Sequence, residues 1–185
     1  HTVDFCFLYT KPAHASATRA GLKDYCKEVI PVKTLTQSLI FRLLGKLLLK
    51  HIFSRLALPY DYFALSNPLT ARFLARRLGA QQYDIVISHY WQASGFIKYL
   101  KSNSLKCIDT HYVVEENLAL YQAGHYAHID DGKLWQLLYR ELGLQKKYFA
   151  TSDLLIVNST AQKELLEKNN YRTPVVCIPN GQDLS

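Results

Sequence analysis

The sequence predicts an α/β fold: a Rossmann-like, mostly parallel sheet with helices on both faces. Three observations predict it. Strand-like apolar runs alternate with helical ones along the whole chain, the pattern of a parallel sheet with right-handed crossovers. The runs around Ile85-Val-Ile87 and Leu154-Leu-Ile-Val157 are continuously apolar, as expected of strands covered on both faces. The last of them is followed by a Ser/Thr-capped helix, a second apolar strand and a Pro-Asn-Gly turn, which together make one strand–helix–strand unit.

Taken in order, residues 2–9 form an apolar run rich in β-branched and aromatic residues, hence a strand. Residues 14–27, with Ala, Leu and Lys, read as a helix. Residues 28–34 read as a short strand whose Pro31 argues for an edge or an end. A long helical pattern covers 36–58. A second helix covers 68–79, with Asn67 as N-cap, Pro68 at the first helical position and Gly79 as the stop. A strand follows at 83–89, a helix at 92–102 and a strand at 106–110. Residues 115–132 mix aromatics, His and Gly and read as a loop or broken helix. Helix 133–151, strand 153–158, helix 160–170 and strand 175–178 complete the series. There is no internal repeat or low-complexity linker, so residues 1–185 read as a single domain.

Composition bounds the function. The chain of 185 residues is 49% hydrophobic and 20% charged, ordinary values for a globular domain. No window offers the ~18 uninterrupted apolar residues of a membrane-spanning helix. The chain starts at His1 and contains no Met, which reads as an excised piece. Its 4 cysteines, Cys6, Cys26, Cys107 and Cys177, are widely spaced without a Cys-x-x-Cys pair. They read as small buried hydrophobes in a reducing, cytoplasmic setting rather than as zinc ligands. The formal charge of +7 suits nucleic acid, an anionic membrane or phosphorylated substrates. Nucleic acid is disfavoured, because the basic residues are not interleaved with exposed aromatics and no binding motif appears.

Ligands of parallel sheets bind beyond the carboxyl ends of the strands, and that rule selects five loops. They are Thr10-Lys-Pro-Ala-His14, Ser88-His-Tyr-Trp-Gln92, Asp109-Thr-His-Tyr112, Asn158-Ser159 and Asn180-Gly-Gln-Asp183. His111 is the candidate catalytic residue, since an imidazole there can donate to a sugar hydroxyl or phosphate or exchange a proton. His89, Tyr90, Trp91, Asp109, Tyr112 and Asn180 are the candidate substrate contacts. The competing reading of His111 is a strand-end histidine bonded to a backbone carbonyl. The competing reading of the His89-Tyr90-Trp91 run is a set of rings closing over the core. His14, His125 and His128 show no metal-ligand spacing, and no metal is expected. Neither Gly-x-Gly-x-x-Gly nor Gly-x-Ser-x-Gly is present.

In the 36–58 pattern, Arg42, Lys46 and Lys50 share a stripe about 80° wide at helical spacing. Leu39, Leu49 and Phe53 crowd beside it. Such a helix suits an anionic bilayer surface, and peripheral attachment to the inner face of a membrane is one expectation. A helix packed on the sheet with its cations in water is the other.

Four segments carry a family likeness. Gln82-Tyr-Asp-Ile-Val-Ile-Ser-His89 is similar to a "YDIVHAH" strand, and Cys107-Ile-Asp-Thr-His-Tyr112 to a "T-x-HD" strand end. Residues 141–159 resemble a helix leading into "AD-x-I-I-x-VS", and Ile178-Pro-Asn-Gly-Gln-Asp183 resembles "IPNGVD". In this order they resemble the N-terminal, acceptor-side domain of a family 4-like glycosyltransferase of the GT-B architecture. The resemblance implies one half of a GT-B fold. The donor domain, with its paired glutamates, would lie C-terminal to this chain, and the first strand with its glycine-rich turn would lie before it. It also places His111 in the interdomain cleft near the donor sugar. The implied reaction is retaining transfer of a hexosyl group from a nucleotide diphosphate sugar to an acceptor hydroxyl, without a bound metal, in cell-surface polysaccharide or glycolipid synthesis. The implied partners are the nucleotide sugar, a carbohydrate or lipid-linked acceptor and the second domain, without which the chain should be inactive. Tyr112 departs from the pattern, standing where relatives often have Asp.

Two alternatives accompany this reading. A GT-B epimerase or phosphorylase half would share the fold and the hinge. A non-catalytic α/β module would use the basic helix to dock on a membrane or a partner.

Overall fold

The computed structural model describes residues 3–9, 12–33, 68–126 and 131–179. The elements run β1 (Asp4–Tyr9), α1 (Pro12–Leu22), β2 (Glu28–Lys33), α2 (Pro68–Gly79), β3 (Ile85–His89), a 3-10 helix (Trp91–Tyr99) and β4 (Leu105–Thr110). They continue with α3 (Val114–Gln122), α4 (Asp131–Phe149), β5 (Leu154–Val157), α5 (Thr160–Lys168) and β6 (Val175–Cys177). Every strand pair is parallel. The strands form a two-stranded sheet, β1-β2, and a four-stranded sheet, β3-β4-β5-β6. The predicted α/β class with parallel pairing is what the chain adopts.

Local chemistry explains most boundaries. Pro12 opens α1, since a proline at the first helical position loses no intrahelical bond. The helix ends at Leu22, earlier than its composition suggests. Lys27 N–H instead donates to Val3 O at 2.8 Å and starts the β2 ladder. Pro31 lies inside β2 opposite Phe7, and β2 has β1 as its one strand neighbour among the described residues, the edge position a strand proline requires. Ser159 caps α5, its Oγ accepting from Gln162 N at 3.2 Å. Asn67 and the 36–58 pattern lie outside the described residues.

Two segments show their form only in the structure. The segment after β3, expected as a helix over 92–102, is a 3-10 helix over Trp91–Tyr99. Ser94 there returns its hydroxyl to Trp91 O at 2.6 Å, the local competition with helical bonding expected of serine. The segment 115–132, expected to be a loop or broken helix, is helical over Val114–Gln122 and the helix ends before α4 starts at Asp131; Glu115 and Glu116 stand in its first turn, where carboxylates favour a helix N-terminus. Gly124 follows at φ +82 and ends it.

The core lies on the face of the larger sheet that carries Val86, Ile108, Leu155 and Val157. It is closed by Trp91, Phe96, Ile97, Leu138, Phe149 and Leu166. Cys107 and Ile108 point to opposite faces of β4, yet both are buried, so the centre of this sheet is covered on both sides. All four cysteines are free. Among the described residues no helix is long and apolar enough to cross a membrane.

The two sheets are tied at their amino ends. Tyr83, just before β3, donates its hydroxyl to Asp4 Oδ2 at 3.0 Å and contacts the Gln81 side chain. Arg77 lies 3.5 Å from Glu28. Burial and the Asp4 carboxylate push the Tyr83 phenol from 10.0 up to about 12. A folded-state pKa above the unfolded one adds stability that is complete below the unfolded value and lost as pH rises through the folded one. Stability should therefore fall between pH 10 and 12, and Tyr83→Phe should flatten the fall in denaturant titrations across that range. An unchanged slope in the variant would contradict this tie.

Candidate functional site

Parallel pairing brings the carboxyl ends of β3, β4 and β5 to one rim. His89 is the register partner of Asp109, and Thr110 is that of Val157, so His111 and Asn158 leave the sheet side by side. Residues opposite one another in a ladder project to the same face, and the side chains meet accordingly. The His89 ring N–H donates to Asp109, with Nδ1 2.7 Å from Oδ2. His111 Nε2 lies 3.7 Å from the same carboxylate oxygen. Asn158 Nδ2 donates to His111 Nδ1 at 3.0 Å. With Nδ1 accepting, Nε2 carries the proton and faces Asp109. The two imidazoles meet edge to face, centroids 5.0 Å apart, and Tyr90 packs on both.

Backbone geometry decides which aromatic joins them. Tyr90 takes φ 64, a conformation that costs a side-chain-bearing residue about 1–3 kcal/mol. Its N–H donates to Asp109 O at 2.7 Å, continuing the ladder past His89. This turn leaves Tyr90 47% exposed and sends Trp91 inward to 0%. Trp91 packs at a tilt against Tyr148, centroids 6.3 Å apart, so the expectation that it contacts substrate is corrected: it is a core residue.

Tyr112 has its hydroxyl engaged by other side chains. Its hydroxyl donates to Glu141 Oε2 at 3.1 Å and accepts from Asn117 at 2.9 Å. Burial and the Glu141 carboxylate push its phenol well above the usual range. Where relatives often place Asp, Tyr112 joins α3 to α4. Burial in turn pushes the Glu141 carboxyl up, against the opposing effect of the Tyr112 hydrogen bond. Asn180, Arg42, Lys46 and Lys50 lie outside the described residues.

The His111 loop is braced from behind. Gln162 donates its amide to His111 O at 3.2 Å and to Glu116 Oε2 at 3.1 Å. Below it, Gln145, fully buried, accepts from Val114 N at 2.7 Å and donates to Glu115 at 2.7 Å and to Tyr171 OH at 2.9 Å. Tyr171 donates to Glu115 Oε1 at 2.5 Å. The start of α3 is thereby tied to α4 behind the loop that carries His111.

Chemically, the rim offers one carboxylate shared by two imidazoles, with an exposed phenol beside them. Such a set can donate hydrogen bonds to hydroxyl or phosphate oxygens and can pass a proton. The ligand atoms of His89, Asp109 and His111 lie within 4.8 Å of one another, so the same set has the composition to hold a divalent cation.

The sequence matches Glycosyltransferase Family 4 over residues 38–185. The chain belongs to that family. No curated protein matches it.

In this glycosyltransferase domain the structure gathers His89, Tyr90, Asp109 and His111, buries Trp91 in the core and ties the Tyr112 hydroxyl to Glu141 and Asn117. Sequence reasoning missed Asn158, Gln162 and Glu141 as site-forming residues. Asn158 had a signal, since it stands in a strand-end loop. Gln162 and Glu141 had none, because helical glutamine and glutamate normally face water. Replacing Gln145 by Ala strips buried partners from Val114 N–H, Glu115 and Tyr171. It should lower unfolding stability by about 1–3 kcal/mol in denaturant titrations; a loss below about 0.5 kcal/mol, the range of ordinary surface changes, would contradict the bracing role.

Proposed function

We propose that this domain forms the acceptor side of a retaining glycosyltransferase. That enzyme moves a hexosyl group from a nucleotide diphosphate sugar to an acceptor hydroxyl. The observation that supports this best is the convergence of His89, Asp109 and His111 at the carboxyl ends of three parallel strands in a chain of Glycosyltransferase Family 4.

In the proposed reaction the bond between the anomeric carbon and the phosphate oxygen breaks, and the electron pair leaves with the nucleoside diphosphate. A bond to the acceptor oxygen forms on the same face, and the acceptor's proton passes to the departing diphosphate oxygen. His111, its Nδ1 occupied by Asn158, presents Nε2–H as a donor to the sugar or phosphate oxygens. Asp109 orients His89 by a hydrogen bond and places a carboxylate 3.7 Å from that nitrogen. Tyr90 and His89 form the aromatic wall against which a sugar ring would rest. The charge developing on the diphosphate needs cationic groups or helix N-termini to absorb it, a role given in this reading to a second, donor-binding domain. Closure of two domains over the rim would exclude water.

A membrane-linked acceptor, as in glycolipid or cell-surface polysaccharide synthesis at a cytoplasmic membrane face, is supported by the Arg42, Lys46, Lys50 stripe in the sequence.

The test is transfer by the full-length polypeptide from a panel of uridine, guanosine and adenosine diphosphate hexoses, with product anomers read by NMR. Retention is expected, and His111→Ala should lower kcat/KM by about 100- to 10,000-fold. An inverted product or a fully active His111→Ala variant would overturn the proposal.

A further inference from the structure

Among the described residues one group of metal-capable side chains brings three ligand atoms within 4.8 Å of one another: His89, Asp109 and His111. No sequence spacing announces this set, because the sheet register assembles it from two strand ends. Its internal distances are not those of a closed hydrogen-bond network. His89 Nδ1 bonds Asp109 Oδ2 at 2.7 Å, but His111 Nε2 stands 3.7 Å from that oxygen, too far for a hydrogen bond. Two ligands of a tetrahedral zinc ion, each about 2.0–2.1 Å from the metal, lie roughly 3.4 Å apart. The His111–Asp109 separation is close to that span. The His89–Asp109 contact must open by about 0.7 Å to reach it, and the His89 side chain, 55% exposed, has room to withdraw.

The surroundings supply what such a ligand set needs. A histidine that ligates zinc gives the metal one ring nitrogen and donates the other N–H to an acceptor. Asn158 already touches His111 Nδ1 at 3.0 Å. Its amide carries a donor and an acceptor side by side, so a half-turn presents Oδ1 to an Nδ1–H. Gln162 bonds the His111 carbonyl from behind at 3.2 Å. His89 closes β3, Asp109 lies in β4 and His111 follows directly after it, so all three sit on or beside paired strands rather than on long loops. Two imidazoles with one carboxylate favour zinc over magnesium or calcium, which take oxygen ligands. His89 and Tyr90 are exposed at the rim, which leaves a solvent approach for the ion.

We propose that His89, Asp109 and His111 form an open, three-ligand zinc site. His89 Nδ1, one Asp109 oxygen and His111 Nε2 bind the ion, and water takes the fourth position. Both rings bind as neutral imidazoles. On His111 the proton moves from Nε2 to Nδ1, where the turned Asn158 amide accepts it. On His89 it moves from Nδ1 to Nε2. Each ring keeps one proton and no electron is transferred. Zinc here is an inhibitor and not the metal of the reaction: with the ion on Nε2, His111 has no N–H left for a sugar or phosphate oxygen. That consequence rests on the role proposed above for His111, whereas the zinc site rests on the geometry of the rim alone.

Calorimetric titration of the 185-residue chain with zinc sulfate tests the site. One ion should bind per chain at micromolar concentration, with no comparable response to magnesium. His89→Ala or His111→Ala should abolish that binding, Asn158→Ala should weaken it about 10- to 100-fold, and His125→Ala should leave it unchanged. Ring-nitrogen NMR of the unsubstituted chain supplies a readout independent of how the variants fold: zinc should move the His89 and His111 resonances together. Lack of binding at millimolar zinc would overturn the proposal, as would rim resonances that stay in place while zinc binds. Binding that survives in the His89→Ala, His111→Ala double variant would put the ion on cysteines or other histidines and overturn it too. In full-length enzyme, zinc should raise KM for the nucleotide sugar, and a chelator should reverse the effect. A polypeptide that transfers no sugar at all would sink the proposed function, while the titration alone decides the zinc site.

Discussion

His89 stands opposite Asp109 because β3 and β4 pair in parallel with Ile85 against Leu105. Slipping that register by one residue would turn every side chain of β3 to the other face. Val86 would leave the core, and the imidazole of His89 would leave the carboxylate. The apolar pattern that stabilises the sheet thus also sets the chemistry of its rim. Burial of Val86, Ile108, Leu155 and Val157 on one face obliges His89 and Asp109 to share the other. The same constraint, extended to β5, puts Asn158 within reach of His111.

Around this rim the molecule distributes rigidity unevenly. On the α3–α4 side it is anchored by a closed polar network, in which Gln145, Glu115 and Tyr171 satisfy one another away from water. Partly satisfied networks of this kind are costly, whereas complete ones rigidify. The opposite side, at β1, is held to β3 at the amino ends by the Tyr83–Asp4 and Gln81–Glu28 contacts and leaves a gap along the strands. The site therefore has one wall tied by side-chain networks and one bordered by the cavity between β1 and β3.

Much of this was legible in the sequence, for identifiable reasons. Continuous apolar runs such as Leu154–Val157 and the Ser159 cap are local signals, and the strands and α5 fall where those signals put them. Pro68 and Gly79 bounded α2 equally well. The candidate rim was legible through the strand-end rule, which picked the loops of His89, Asp109 and His111. Trp91 and Tyr112 could not be assigned that way. Their direction depends on the positive φ of Tyr90 and on the buried partners of Tyr112 in α3 and α4, neither of which has a local pattern. The pairing of His89 with Asp109, 20 residues apart, likewise exists only once the register is known.

The account turns on one carboxylate serving two histidines, and ring-nitrogen NMR of the imidazoles observes that directly. In the 185-residue chain, Asp109→Ala should displace the side-chain resonances of both His89 and His111 while leaving those of His125 in place. If the substitution moves neither rim histidine, or moves only one of them, the shared-carboxylate rim is wrong.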